Sequence, residues 1–549
     1  MKRADFPKGP TPPPIIFSHF PTVQQAFIWR NWEMFPAEKL AEVLRTDAKN
    51  VLEMAAAMGL RTPPVVNGDW LKKGYNTIIR ANWHLLPYEQ LLQLLDWTEE
   101  RLVYALKEDD FLFAKLGALK PDSAPVKYEP LTDEQKTRTR ALAALIGKHF
   151  PDCAEAEAER AFAFSKYNVA SEPEEPFRCG SGEVLVDGSW GIVLSPSCET
   201  ANVRGYVDDF IQEIKGRWGH ALTIGGQKKR AITLSLAPDR GLPPESHSVS
   251  VSGDGVAISG VDEFALLRAL QWIEMKMEER SGPALPPGLF AMRTTLESRI
   301  IYPYHSHYSD PLMADPEETC PDALLKQLSR GGVNGIWLQG ILYTLVPWER
   351  GPELSRGWER RIESLRNIVG RAARHGVGVY LYMGEPRCLP MSFFERNPEL
   401  KGIVPSYVFG DVATLCVSTT PVKEFLRDGM AELFTKVPEL AGVFTITASE
   451  NPSNCHSKYS GSSCPRCSRR SPQEVIAEVN ALIEEGVHRA SRTRGSLPGP
   501  GGGAPIGRAA RYRFRTGRPA SSRDCPPKSS SWRPARRRCP FASAASPAT

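Results

Sequence analysis

From residue 293 onward the chain alternates short apolar runs with amphipathic segments, at a spacing that a parallel sheet with helical crossovers satisfies. Runs over 294–301, 335–338, 378–383 and 442–447 have strand length. The segments over 322–329, 359–373, 420–435 and 473–489 repeat apolar residues at helical intervals. Parallel neighbours need a long crossover, and such crossovers are right-handed, so helices are expected on the sheet between successive strands. Four β/α units over about 200 residues are half of an eight-unit barrel, which typically takes about 250. The expected fold class is therefore multidomain α/β ending in an incomplete (β/α)8 TIM-type barrel over 290–490.

The region over 186–285 has a shorter period. Strands are expected over 191–194 and 231–236 and helices over 203–218 and 261–277. A hairpin over 246–252 and 256–258 turns at Gly253-Asp254-Gly255, because Asp-Gly supplies the backbone conformation that a tight β-turn needs. This predicts one small α/β domain. Ahead of it, 121–185 holds a charged helix over 132–164 and a Glu/Pro-rich linker over 171–176.

Residues 15–120 form a helical module with an internal repeat. Asn31-Trp32-Glu33-Met34-Phe35-Pro36 is echoed by Asn82-Trp83-His84-Leu85-Leu86-Pro87. Each copy runs into an amphipathic helix, with Leu40, Val43 and Leu44 in one and Leu91, Leu94 and Leu95 in the other. Pro suits a helix start, where its missing N–H is no loss. A DNA-reading helix-turn-helix would need a basic face, but Glu38, Glu42 and Asp47 offset Lys39, Arg45 and Lys49. A duplicated helical hairpin used for packing is the reading.

The net charge of +5 conceals an uneven distribution. Residues 492–549 hold twelve Arg, one Lys and one Asp, so the rest of the chain is mildly acidic and offers no electrostatic case for a nucleic-acid partner. That same stretch is Arg, Pro, Ser, Gly and Ala without periodicity. We expect 491–549 to be a disordered tail, and its abrupt onset suits an out-of-frame translation that cuts the barrel short. No apolar run is long enough to cross a membrane, and the N-terminus lacks a signal-peptide core. Eleven scattered cysteines suit a reducing compartment, so the expected location is the cytoplasm. Nothing in the pattern specifies an oligomer.

The candidate chemistry collects after the presumed barrel strands, where barrel enzymes act. Glu450 directly follows the fourth strand and Glu385 the third. Two carboxyl groups placed this way can divide acid–base work, one giving a proton to a leaving group and the other activating water or attacking the substrate. Glu450 is the candidate acid and Glu385 the candidate second carboxylate, with an ion pair to Arg387 as its alternative. Glu297 and Arg299 end the first strand; such a charged pair either lines the site or forms an ion pair at the barrel mouth, and the site is the reading. The pair His305 and His307 is read as substrate-touching loop residues. Cys455, His456, Cys464 and Cys467 could close a tetrahedral site, because Cys-x-x-Cys is the usual half of a structural zinc centre. Acid catalysis itself requires no cofactor.

The order of parts resembles family 20 glycoside hydrolases, the β-N-acetylhexosaminidases, over about 190–490. Ser248-Val249-Ser250-Val251 and Gly255-Val256-Ala257-Ile258, followed by a Leu-rich helix, resemble that family's zincin-like second domain. Leu296-Glu297-Ser298-Arg299 looks like its first barrel strand, whose Arg holds sugar hydroxyls. Gly332-Val333-Asn334-Gly335-Ile336-Trp337-Leu338 looks like the second strand, and Thr447-Ala448-Ser449-Glu450-Asn451 sits where the family has Gly-Asp-Glu. The resemblance implies a carbohydrate substrate contacted by Arg299, Trp337, Ser449 and Asn451. It also marks a departure: the family's Asp that orients the substrate's acetamido nucleophile is here Ser449. A catalytically inactive carbohydrate-binding or regulatory protein is the alternative.

Overall fold

The computed structural model describes residues 11–493 apart from 61–65, 109–111, 118–119, 150–176, 227, 303–309, 406–411, 446–451 and 458–462. The chain is mixed α/β, with a helical region followed by two principal sheets.

The helical region comprises α1 (Val23–Asn31), α2 (Ala37–Leu44), α3 (Ala48–Ala57), α4 (Asp69–Lys73), α5 (Tyr75–Asn82), α6 (Tyr88–Leu95), α7 (Glu99–Glu108), α8 (Leu112–Lys115) and α9 (Asp133–His149). The repeat seen in the sequence is a repeat in space. Pro36 and Pro87 precede α2 and α6, and each helix ends on a left-handed residue, Arg45 and Asp96. Asn31 and Asn82 close α1 and α5, lie fully buried, and donate to each other's side-chain oxygens at 2.9 and 2.7 Å. Lys39 is held between Glu42 at 3.0 Å and Asp96 at 2.5 Å, so its charge faces acid rather than solvent. Of the helix expected over 132–164, the part beyond 149 lies outside the described residues.

The small α/β region follows with β1 (Val184–Leu185), β2 (Trp190–Leu194), α10 (Ala201–Trp218), β3 (Thr223–Ile224), β4 (Arg230–Leu236), β5 (His247–Ser252), β6 (Gly255–Gly260), α11 (Glu263–Glu279), β7 (Ala284–Leu285) and β8 (Gly288–Met292). Six of these strands form one sheet in the order β3-β2-β4-β6-β5-β8. β3, β2, β4 and β6 run parallel, and β5 pairs antiparallel with both β6 and β8. The β5–β6 hairpin closes at Ser252 opposite Gly255, the turn read from Asp254. Alternate strand residues Ile192, Ile232, Val249, Val256 and Ile258 are buried with Val207, Phe210, Leu266, Leu270 and Ile273 of α10 and α11. Period-2 burial from the sheet meets period-3.6 burial from the helices.

The second sheet is built from β9 (Ile300–Ile301), α12 (Pro316–Thr319), α13 (Asp322–Arg330), β10 (Gly335–Gln339), α14 (Leu342–Leu345), α15 (Trp358–Arg374), β11 (Gly378–Met383), β12 (Leu389–Pro390), α16 (Met391–Arg396), β13 (Val412–Ala413), α17 (Thr420–Lys436), β14 (Gly442–Thr445) and α18 (Pro472–Thr493). Four strands are parallel in the order β14-β11-β10-β9. The strand expected over 294–301 is reduced to Ile300–Ile301. The preceding β8 instead completes the first sheet, where Phe290 packs on Trp272 with ring centroids 4.7 Å apart. Ile336, Leu338, Val379, Leu381 and Met383 face the helices and are buried with Ile362, Leu365, Ile368, Val422 and Leu426. The opposite face carries Tyr302, Trp337, Tyr380, Tyr382 and Phe444, all half-buried. Among the described residues this sheet has four strands, and no helix is long and apolar enough to cross a membrane. Helix α18 runs to Thr493, and the tail expected beyond it lies outside the described residues.

Candidate functional site

The N-terminal edge of the parallel sheet is a structural seam. Glu245, held at a φ of 65° between β4 and β5, receives Arg268 Nε at 3.0 Å, Asn334 Nδ2 at 3.0 Å and the Arg299 guanidinium. Arg299 also donates to the carbonyls of Leu296 and Gly332, and its backbone exchanges hydrogen bonds with Asn334 at 2.8 and 3.1 Å. Arg268 reaches Val333 O at 3.1 Å. The seam therefore joins α11 and the β4–β5 loop to the starts of β9 and β10. Arg299 thus stands at the opposite end of the sheet from the expected substrate site. The residue precedes β9 instead of ending it, so its guanidinium binds the neighbouring domain at the end of the sheet remote from the strand C-termini. Glu297 lies at the same end, exposed, with its carbonyl accepting from Asn334.

At the C-terminal edge, Glu385 lies two residues past β11 and is only 1 % exposed. Its Oε1 accepts the Leu342 N–H at 2.7 Å and its Oε2 the Arg387 N–H at 3.1 Å. Leu342 opens α14, so one carboxylate ties the loop after β10 to the loop after β11. A buried carboxylate needs such donors to offset its desolvation. The contact with Arg387 is made through that residue's backbone.

Trp337 lies on the aromatic face. It stacks on Tyr302, with centroids 4.1 Å apart and planes at 16°, and leans on Tyr382 at 5.1 Å. Tyr380 meets Phe444 at 5.4 Å, which extends the aromatic surface across all four strands. Ser449, Glu450 and Asn451, with His305 and His307, lie outside the described residues.

No protein-family model matches the chain, and no curated protein matches it in sequence. The likeness is to solved structures. The chain resembles the chitobiase of Flavobacterium johnsoniae, with 16 % identity and a TM-score of 0.39 over 57 % of this chain and 50 % of that one. It resembles the β-N-acetylhexosaminidase of Streptomyces coelicolor, with 14 % identity and a TM-score of 0.39 over 57 % of this chain and 63 % of that one. A family 138 glycoside hydrolase that targets pectin rhamnogalacturonan II is similar at 14 % identity and a TM-score of 0.40, over 56 % of this chain and 34 % of that one. The likeness to glycoside hydrolases is thus partial, and the matched region spans less than two thirds of each relative's length.

The cysteines are gathered differently from the sequence reading. Cys455, Cys464 and Cys467 are fully buried together with Cys416, and the four sulfurs lie within 4.8 Å of one another. His456 is not in this group: its Nε2 is 3.1 Å from the Cys467 carbonyl oxygen, which turns the ring to the backbone. The fourth sulfur comes instead from the segment between β13 and α17. Cys416 stands alone in the sequence, without a Cys-x-x-Cys partner, and only the fold brings it to the others. Hydrogen bonds from Cys455 and Cys467, with a further one from Arg466, hold the Cys416 thiol far below its usual range. Hydrogen bonds to Cys416 and Cys467, with burial, push the Cys455 thiol up.

Proposed function

We propose that the chain is a carbohydrate-active protein of the glycoside hydrolase type, taking its sugar at the C-terminal edge of the parallel sheet. The observation that carries this reading is the aromatic surface formed by Tyr302, Trp337 and Tyr382. Flat rings on a half-buried face suit the apolar C–H face of a pyranose, with polar groups at the loops above to fix its orientation. The finer reading is a family 20 relative with a zincin-like domain ahead of its barrel, and it rests on the sequence motifs and the order of parts. In it, Glu450 protonates the glycosidic oxygen from the loop after β14. Glu385 anchors the loops rather than attacking the sugar, because both its oxygens already accept backbone N–H groups.

A second reading, a protein that holds saccharide without cleaving it, is favoured by that same engagement of Glu385 and by Ser449 in place of the family's Asp. Two measurements on the full chain separate these readings. One follows tryptophan fluorescence during titration with N-acetylhexosamine and neutral hexose oligosaccharides, for wild type and Trp337→Leu. The other follows release of the aryl group from a panel of aryl glycosides. Saccharide-dependent quenching lost in Trp337→Leu, together with aryl release, supports the hydrolase. Quenching alone supports the binding protein, and neither signal refutes both.

A further inference from the structure

We propose that Cys416, Cys455, Cys464 and Cys467 together bind one structural zinc ion that fastens the loop after β14 to the loop after β11. The geometry is that of a tetrathiolate cage. A zinc ion about 2.3 Å from each of four sulfurs holds them about 3.8 Å apart, and Cys416 Sγ lies 3.7 Å from Cys464 Sγ and 3.6 Å from Cys467 Sγ. These separations are far beyond the roughly 2.05 Å of a disulfide bond, and all four cysteines are free.

The surroundings suit bound thiolates. The Cys467 backbone N–H points at Cys464 Sγ at 3.5 Å, which is the local fold a Cys-x-x-Cys pair adopts when both sulfurs grip one ion. Arg466 Nε lies 3.3 Å from Cys416 Sγ, and the Ser418 hydroxyl is 3.3 Å from Cys467 Sγ. Four thiolates around a divalent ion leave a net charge of minus two, and the Arg466 guanidinium opposes part of it. Outer contacts of this kind orient the ligands. With all four positions filled by sulfur, the ion has no open site, so its role is structural.

The loop itself calls for such a staple. Between β14 and α18 the described residues contain no α-helix or strand, only short turns such as the 3-10 turn Cys467–Arg469, and long irregular loops inside a compact unit are uncommon without something to hold them. Three of the sulfurs lie in that loop and the fourth in the preceding one, so the ion would bridge two loops above the C-terminal edge. Gly402 packs against the cage, since a Cβ there would sit 2.6 Å from Cys455 Sγ. This inference is independent of the glycosidase reading.

The full chain, purified without added metal, should contain about one zinc per chain by elemental analysis. Cobalt(II) exchange should give thiolate-to-cobalt charge-transfer bands and the intense visible absorption of a tetrahedral site. Cys416→Ser should lose the metal, whereas His456→Asn and the exposed-thiol control Cys179→Ser should retain it. Should Cys416→Ser fail to fold, the wild-type cobalt spectrum and the His456→Asn metal content still decide. A chain that takes up no zinc, a coloured iron protein, an octahedral cobalt spectrum, or loss of metal in His456→Asn would each overturn the proposal.

Discussion

Arg299 and Glu245 form an ion pair that joins the start of β9 to the β4–β5 loop, at the end of the parallel sheet remote from the strand C-termini. Glu245 is nearly buried and also serves Arg268 and Asn334, so the pair belongs to a connected network. Breaking a buried pair by removing one partner costs about 3–5 kcal/mol, because the other charge is left uncompensated. Arg299 is partly solvated, with its side chain 23 % exposed, so Arg299→Met should cost roughly 2–3 kcal/mol in urea unfolding. Saccharide affinity should stay within twofold of wild type. A loss of affinity without loss of stability would return Arg299 to the substrate.

The reciprocal hydrogen bonds of Asn31 and Asn82 should behave as one unit. Each amide also donates to a carbonyl of its own helix, Phe27 O at 2.8 Å and Ile78 O at 2.9 Å. Asn31→Ala leaves a buried amide of Asn82 without its partner, at a cost of about 1–3 kcal/mol. The double substitution to Ala should cost less than the sum of the two single ones, since neither amide is then left without its partner. A double-mutant cycle read by chemical unfolding checks this, and strict additivity would show that the two residues are not coupled.

Glu274 links stability to pH. Burial pushes its carboxyl from 4.5 up to about 7, against the opposing influence of Arg330 and Lys326. Arg330 Nε approaches to 3.3 Å without hydrogen-bond alignment. A carboxyl group raised in the folded state binds its proton more tightly there than in the unfolded chain. Its contribution is fully present below about pH 4.5 and is lost as the pH rises through 7, a change of about 3 kcal/mol. Glu274→Gln should therefore be more stable than wild type at pH 8 and about equal to it at pH 5. Melting curves of both proteins at the two pH values test the sign, and a destabilised variant at pH 8 would reverse it.

Legibility from sequence divides along the same lines as the interactions. The β5–β6 hairpin is readable because Asp254-Gly255 dictates its turn locally, and β11 because an uninterrupted apolar run between Gly378 and Gly384 delimits it. The pattern over 294–301 cannot show that only Ile300 and Ile301 pair with β10, or that β8 has already joined another sheet. Nothing near Cys416 marks it as a partner of Cys455, since that relation exists only after α17 and β14 have folded back. Adjacency to Cys455 makes His456 the obvious local candidate, but adjacency in a loop does not determine where a side chain turns. The four-cysteine cluster is half local, and only that half is visible in the sequence.

If Glu450 is the acid, as proposed, the rate of aryl glycoside hydrolysis against leaving-group acidity should separate wild type from Glu450→Gln. General acid help is typically worth about 100- to 10,000-fold. The variant should lose activity of that order on substrates with poor leaving groups, and much less on those that depart without protonation. Equal, small losses across the whole series would contradict the assignment.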